Sequence, residues 1–333
     1  MQGAVRPATY TTPPAMNLLF IADPLSSFKI YKDTTFAMMR EAQARGHRIS
    51  ACEPQDLSWQ TGEKVVTQVR HIRLTGDAEH WFMPDTTRAG ERLALASFDA
   101  VLMRKDPPFD AEYIYSTHLL EQAEREGARV FNKPAALRDH PEKLAIMEFA
   151  EFSGPTLVTR SAADIKRFHA DHEDIILKPL DGMGGMGIFR VKEDGLNLGS
   201  IIETLNKNGA QSVMVQKFLP EIVQGDKRVL VIAGKPVPYV LARIPQGGEV
   251  RGNLAAGGLG VAQPLSARDR EIAEAIGPVL TARGLLLAGI DVIGDYVTEI
   301  NVTSPTCFQE IFDQTGCDVA ALFVDALEAA LAA

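Results

Sequence analysis

Residues 291–304 read Asp291-Val-Ile-Gly-Asp-Tyr-Val-Thr-Glu-Ile-Asn-Val-Thr-Ser304. Val292 and Ile293 close one apolar run, Gly294-Asp295 is a turn signal, and Tyr296 to Val302 alternates as a second strand. Side chains on a strand change face at every residue, so Val297, Glu299 and Asn301 are expected on one face. The hairpin can return Asp291 to the same volume. Two carboxylates and an amide on a rigid sheet are hard oxygen donors of the kind Mg²⁺ takes, with phosphate and water completing its shell. A solvated polar strand face gives the same pattern, so the choice falls to the rest of the chain.

The chain has 333 residues, which points to two or three domains, and is 46% apolar and 23% charged, as in globular enzymes. Lys and Arg number 34 against 43 Asp and Glu, a formal charge of −9, which argues against non-specific nucleic-acid or anionic-membrane binding. Cys52, Cys307 and Cys317 are odd in number, widely spaced and form no Cys-x-x-Cys pair. Neither a disulfide framework nor a zinc site is expected, and a reducing, cytoplasmic setting fits. Cys307 reads as a small buried hydrophobe rather than a reactive thiol. No apolar run is long enough to span a bilayer. Met1–Ala15 is rich in Thr and Pro and lacks an apolar core, so it reads as a disordered tail and not a secretory signal, with Met16 as an alternative start.

Asn17–Ala22 looks like an opening strand, Asp33–Ala44 a helix with Phe36, Met39 and Ala42 on its apolar face, and His47–Glu53 a second strand. Ala100–Met103, the helix Ile114–Arg125 and Arg129–Asn132 continue the alternation. That order implies an open, mostly parallel α/β sheet, which binds ligands beyond the carboxyl ends of its strands. After Asn132-Lys133-Pro134 the composition shifts to dense strands and glycine loops. Strands are expected at Ile175–Lys178, Val213–Gln216, Arg228–Ile232 and Pro238–Arg243, and helices at Ala267–Ala282 and Asp318–Ala332, the latter with Leu322, Leu327 and Leu331 inward.

Lys178 ends a strand and is followed by Leu180-Asp-Gly-Met-Gly-Gly-Met-Gly187. Glycines let backbone N–H groups approach an anion, and the lysine adds a point charge for phosphate. The GK[ST] ending of a Walker A loop is missing and strand, not helix, follows, so this is a glycine-rich β-hairpin, phosphate-binding or purely structural. Gln216-Lys-Phe-Leu-Pro220 can offer backbone groups to an adenine edge, Asp226 can take ribose hydroxyls, and Arg228 would face phosphate; a polar connection between strands reads equally well. Ile244–Gly260 holds six glycines without a period, as mobile lids that exclude water do, and as floppy surface loops also do.

Lys178-Pro-Leu-Asp-Gly-Met-Gly-Gly185, Gly225-Asp-Lys-Arg228, Arg251-Gly-Asn-Leu-Ala-Ala-Gly-Gly258 and Thr298-Glu-Ile-Asn-Val-Thr-Ser-Pro-Thr306 together resemble the bacterial glutathione synthetases, a family of ATP-grasp ligases. Leu102-Met-Arg-Lys-Asp-Pro-Pro-Phe-Asp110, Asn132-Lys-Pro134 and Glu142-Lys-Leu144 extend the match, which runs from about Met16 to the C-terminus. The resemblance implies an N-terminal open α/β domain (16–135), then an ATP-grasp module of two α+β lobes. The small lobe (136–212) carries the glycine loop; the C-terminal lobe (213–333) carries the 244–260 lid and a metal site. It implies Lys143 and Lys178 on the ATP phosphates beneath Gly182, Gly184, Gly185 and Gly187, and Gln216, Leu219 and Asp226 at adenine and ribose. Asp291, Glu299 and Asn301 match the Mg²⁺ ligands, with Mn²⁺ as an alternative ion. Arg228 and Arg251 are the expected catalytic pair, and Arg104, Arg243, Arg251 and Ser304 match the peptide pocket. Leu259 departs from the family loop, where a basic residue is common. A homotetramer is implied.

The activity so implied is ligation of γ-glutamylcysteine to glycine with ATP cleaved to ADP and phosphate. A carboxylate is a poor acceptor for an amine, and phosphorylation supplies a leaving group. Lys143, Lys178, Arg228 and the cation would neutralise the phosphoryl charge. The seven histidines are scattered, with His118 and His140 read as surface or structural residues. The rivals are another ATP-grasp carboxylate–amine ligase and a nucleotide-binding regulator that has lost catalysis. A Rossmann dehydrogenase is disfavoured because no G-x-G-x-x-G follows the opening strand.

Overall fold

The structure, a computed structural model, describes residues 14–333. The tail expected at Met1–Ala15 lies outside the described residues except for Pro14 and Ala15. The first sheet has six strands in the order Phe82–Pro84, Arg70–Leu74, Arg48–Cys52, Asn17–Ile21, Ala100–Met103 and Val130–Phe131. Its last four strands pair in parallel, and the two at the Arg70 edge are antiparallel. Leu18, Leu19, Phe20 and Ile21 are all buried, the continuous apolar run of a parallel strand covered on both faces. Asp33 caps the helix Thr34–Ala44 by accepting from Phe36 N at 2.7 Å, and Asp110 caps Ala111–Arg125, which begins three residues before the expected Ile114. The three short strands Leu57–Ser58, Val66–Gln68 and Arg92–Ala94 form a side sheet that no periodicity announced.

The second sheet is antiparallel, in the order Thr156–Thr159, Val213–Lys217, Ile175–Pro179 and Phe189–Val191. Helices Ala162–His172 and Leu198–Asn206 cover it through Ile165, Leu198 and Ile202. Val213–Lys217 lies between two strands of this sheet, so a division at residues 212/213 would cut through it. The third sheet runs Leu259–Pro264, Lys235–Ile244, Asp226–Ile232, Leu287–Ile293 and Tyr296–Asn301. Alternation along Asp226–Ile232 sends Val229 and Val231 to a core shared with Ile272, Ile276 and Leu280 of the helix Ala267–Ala282. Leu230 and Ile232 go to one shared with Phe308 and Phe323 of the last two helices.

Three expectations need correction. Asp291 pairs with Glu299 but Val292 pairs with Val297, a bulge that leaves Thr298 extra and turns Val297 into the core beside Val292 and Ile300. Val297 therefore does not share the face of Glu299 and Asn301. The expected lid is shorter: Ile244 belongs to one strand and Leu259–Gly260 to the next, so the irregular segment is 245–258. In the helix Val319–Ala332, Leu322 is exposed, while Val319, Phe323, Val324 and Leu327 face the core and Leu331 is partly covered. Leu322 was misplaced because apolar residues nearly encircle this helix, and the packing against Thr34–Ala44 selects the face.

Candidate functional site

A cavity of about 450 Å³ lies where the three larger sheets meet, lined from the glycine hairpin, the irregular segment 245–258 and the Asp291–Ser304 hairpin. Every residue expected from the sequence to hold nucleotide, cation or peptide lines it except Gly187. Lys143 Nζ donates to Gly182 O at 2.6 Å and to Glu299 Oε1 at 3.0 Å, which ties the glycine hairpin to the metal-candidate strand. Lys178 Nζ donates to Thr298 O at 3.3 Å, the carbonyl of the bulge residue. Burial pushes the Lys178 ammonium down, against the upward pull of Glu299. The two lysines and Glu299 thus converge, and an arriving phosphate would take over contacts now made to carbonyls and a carboxylate.

Asp291 sits 2% exposed at the floor. Arg228 binds both of its oxygens, and Arg243 Nη2 reaches Oδ2 at 2.9 Å and Asp226 Oδ2 at 2.6 Å. Burial alone would raise the Asp291 carboxyl, but the two guanidinium groups more than reverse this and hold it at about 2. Asp226 goes the other way: burial pushes it up to about 6 in spite of Arg243, and its Oδ1 is buried with no hydrogen-bond partner. Asn301 Nδ2 donates to Asp291 Oδ2 at 3.2 Å and to Gly289 O at 3.3 Å, and its Oδ1 has no partner among the described residues. Of the three expected cation ligands, Glu299 keeps one oxygen and Asn301 its Oδ1, while both Asp291 oxygens are committed to arginines. Two uncommitted hard oxygens beside two lysines fit a small divalent cation that also bears phosphate.

Over this floor, Arg251 Nη1 donates to Gly185 O at 3.3 Å. A Cβ on Gly185 would stand 2.7 Å from Asn253 Oδ1, and one on Gly252 would stand 2.1 Å from Arg243 O. The glycines here permit the 245–258 segment to lie directly on the glycine hairpin and on the sheet. Leu259, the departure from the family loop, is exposed and sits in the strand that follows. At the nucleotide end, Gln216 Nε2 donates to Thr156 Oγ1 at 3.1 Å, and Leu219 lines the wall with Ile176 and Phe218.

The first domain closes the other end. Arg104, buried, donates to Thr35 Oγ1 at 3.2 Å and to Pro305 O at 3.0 Å, and Ser304 Oγ donates to Asp106 Oδ1 at 2.6 Å. Asn132 fastens the domains by bonding Leu287 N and O and Val302 O. Cys307 is buried but lines the cavity; His140 is buried on Ala136 O and beside Arg283, and His118 is exposed. Sequence reasoning missed several lining residues. Glu142 accepts from Thr303 Oγ1 at 2.8 Å, and burial reinforced by Glu299 pushes it up to about 7. Lys32, Asp33, Asp106 and Glu310 also went unassigned. Adjacency to Lys143 was a usable signal for Glu142; the others lie in segments whose meeting no local pattern encodes.

The family model described as the prokaryotic glutathione synthetase N-terminal domain matches residues 16–138, and the one described as its ATP-grasp domain matches residues 142–316. Glutathione synthetase of Ralstonia nicotianae is 62% identical over 315 residues, covering 95% of this chain and 96% of that protein. The Nitrosomonas europaea protein of the same name is 59% identical, covering 94% and 98%. Among solved structures, a D-cycloserine synthetase aligns with a TM-score of 0.67 at 16% identity, over 95% of this chain and 99% of that one. D-alanyl-alanine synthetase A from Vibrio cholerae gives 0.61 at 16%, over 96% and 99%. These two likenesses carry the fold alone, whereas the family models and the close relatives span nearly the whole sequence: the chain belongs to the prokaryotic glutathione synthetase family.

Proposed function

We propose that this chain, an ATP-dependent ligase by family, joins γ-glutamylcysteine to glycine through an acyl phosphate, releasing ADP and phosphate. The observation that carries the reading is the convergence of Lys143, Lys178, Arg228, Glu299 and Asn301 in one cavity roofed by both glycine-rich segments. Glu299 and Asn301 would hold Mg²⁺, or Mn²⁺, and Asp291 would join them when Arg228 turns towards phosphate. When bound, the cation would supply neutralisation of phosphate charge. Lys143 and Lys178 hold the nucleotide phosphates, and the amides of Gly182–Gly187 add fixed dipoles. Gln216, Leu219 and Asp226 receive adenine and ribose. Arg228 faces the oxygens of the phosphoryl group in flight, and Arg251 closes over them.

The peptide lies towards Arg104, Arg243 and Ser304, with its cysteinyl carboxylate at the phosphoryl end. Fixing glycine against the acyl carbon makes a bimolecular attack effectively intramolecular. The acyl phosphate would hydrolyse in water, which gives the 245–258 segment a chemical reason to close. We put the division into an N-terminal domain and two ATP-grasp lobes near 138–142 and after Lys217; the limits of the family matches and the sheet membership of Val213–Lys217 support it. Among the described residues no helix is long and apolar enough to cross a membrane. Three free cysteines support a reducing, cytoplasmic setting. A homotetramer is the assembly the resemblance implies, and sizing of the purified chain tests it.

The deciding experiment is phosphate release with ATP, Mg²⁺ and γ-glutamylcysteine, with and without glycine, beside other dipeptides. Glycine-dependent release confined to γ-glutamylcysteine supports the reading. Equal release with unrelated dipeptides would move the chain to another carboxylate–amine ligation.

A further inference from the structure

Thr156, Gln216, Ile176 and Arg190 stand in one row across the second sheet, each opposite the next. Directly opposed residues share a face, so Arg190 lies on the face of Ile176 and Gln216, which line the cavity. The other face carries Ile175, Leu177, Val191, Val213 and Val215 into the apolar core under the helices. Arg190 itself does not line the cavity. Its side chain ends on two partners instead. Nε and Nη2 donate to the two oxygens of Asp174 at 2.9 and 2.6 Å, and the guanidinium carbon stands 3.5 Å from the centroid of the Phe218 ring. A planar fork gripped by a carboxylate and laid on an aromatic face has little freedom left. Asp174 O also accepts from Phe218 N at 2.8 Å. Asp174 therefore holds Phe218 twice, through the main chain directly and through Arg190 by the ring.

Phe218 lines the cavity between Gln216 and Leu219, where the nucleobase is placed above. The backbone N–H of Leu219 has no hydrogen-bond partner among the described residues. A fixed N–H at this edge can tell purines apart: adenine offers an acceptor at N1, whereas hypoxanthine and guanine carry a hydrogen there. The distinction survives only while the backbone cannot turn to suit the wrong base, since an unmatched polar edge is what penalises it. We propose that Asp174 and Arg190 are positioning residues that act through Phe218, fixing the backbone of Phe218 and Leu219 and so making the nucleotide site selective for adenine. The proposal rests on the placement of the nucleobase at Gln216–Leu219 and is independent of which peptide is ligated.

The test measures binding of ADP and of inosine diphosphate to the full chain by titration calorimetry with Mg²⁺, so it needs no turnover. Inosine diphosphate differs from ADP only at the base edge that the Leu219 N–H would read. Arg190→Met keeps the length of the side chain and removes the fork. It should raise Kd for ADP roughly tenfold and Kd for inosine diphosphate by less than about twofold, which compresses the preference for adenine. Asp174→Asn should shift the ratio in the same direction, and the double variant should do no more than the larger single change, because the two residues act through one contact. A merely structural role would lower Tm and weaken both nucleotides alike, and that result, or an unchanged ratio, overturns the proposal. Leu219→Ala is the control for the placement beneath it. If Leu219→Ala leaves Kd for ADP unchanged, the base lies elsewhere and the placement falls. If Leu219→Ala weakens ADP while Arg190→Met does not, the placement stands and the positioning role alone falls.

Discussion

Asp291 and Arg228 are direct cross-strand neighbours, and their side chains close a two-bonded ion pair with both residues under 10% exposed. Arg243 completes a triad on the same carboxylate. Removing the acid leaves two buried guanidinium groups facing each other. Breaking such a buried pair costs about 3–5 kcal/mol, so Asp291→Ala should lower the urea midpoint markedly. An unchanged midpoint would mean that the arginines find other acceptors.

The same triad gives a signed pH prediction. The Asp291 carboxyl is held at about 2 against a usual 3.8. A depressed folded pKa contributes stability that is present above 3.8 and lost as pH falls through 2. A shift of that size corresponds to about 2 kcal/mol. Denaturation between pH 4 and pH 2 should therefore be shallower in Asp291→Asn than in the unaltered chain, measured from each variant's own stability at pH 5.

Glu142 has the opposite sign. Burial, reinforced by Glu299, raises it from 4.5 to about 7. The folded chain then holds a proton that the unfolded chain releases, so this stability is present below pH 4.5 and lost as pH rises through 7. Glu142→Gln should remove a decline of about 3 kcal/mol between those limits. Chemical denaturation across the range without added metal reads it, and parallel profiles for the two proteins would sink the assignment.

Glu299→Gln keeps the shape of the side chain and removes its charge. It should cut the Mg²⁺-dependent rate well over tenfold, by loss of a charged ligand, with the far-UV spectrum unchanged. Lys178→Ala should raise KM for ATP, and unaltered ATP kinetics would take Lys178 away from the phosphates.

How much of this was legible in the sequence depended on the range of each interaction. The capped helix at Thr34–Ala44 and the run Asn17–Ile21 were readable because their signals are local. The bulge at Thr298 was not, since it is set by pairing with Asp291 and Val292, and a single extra residue reversed the face of Val297. The strands between Leu57 and Ala94 are short and half polar, so they carry no period. Lys178 and Glu299 were legible in local strand and loop patterns and Lys143 through motif resemblance, and the structure joined them over long sequence separations. Leu259–Gly260, the start of the strand Leu259–Pro264, was absorbed into the glycine-rich lid because a strand beginning Leu-Gly after five loop glycines looks like more loop.

The contact from Arg251 to Gly185 O joins the two glycine-rich segments into one roof. If that roof keeps water from an acyl phosphate, loosening it should do more than slow the enzyme. It should let the intermediate hydrolyse, so that phosphate is released without peptide formation. Gly185 has φ +84° and a Cβ there would meet Asn253, so Gly185→Ala disturbs the roof from one side, while Arg251→Ala does so from the other. Both variants should raise the ratio of phosphate released to tripeptide formed above one, while the unaltered chain stays near one by stoichiometry. Slower turnover at an unchanged ratio would show that the roof positions substrates without guarding the intermediate. The two substitutions combined should then give no more than the larger single effect if they break one shared contact, because residues in direct contact do not act additively.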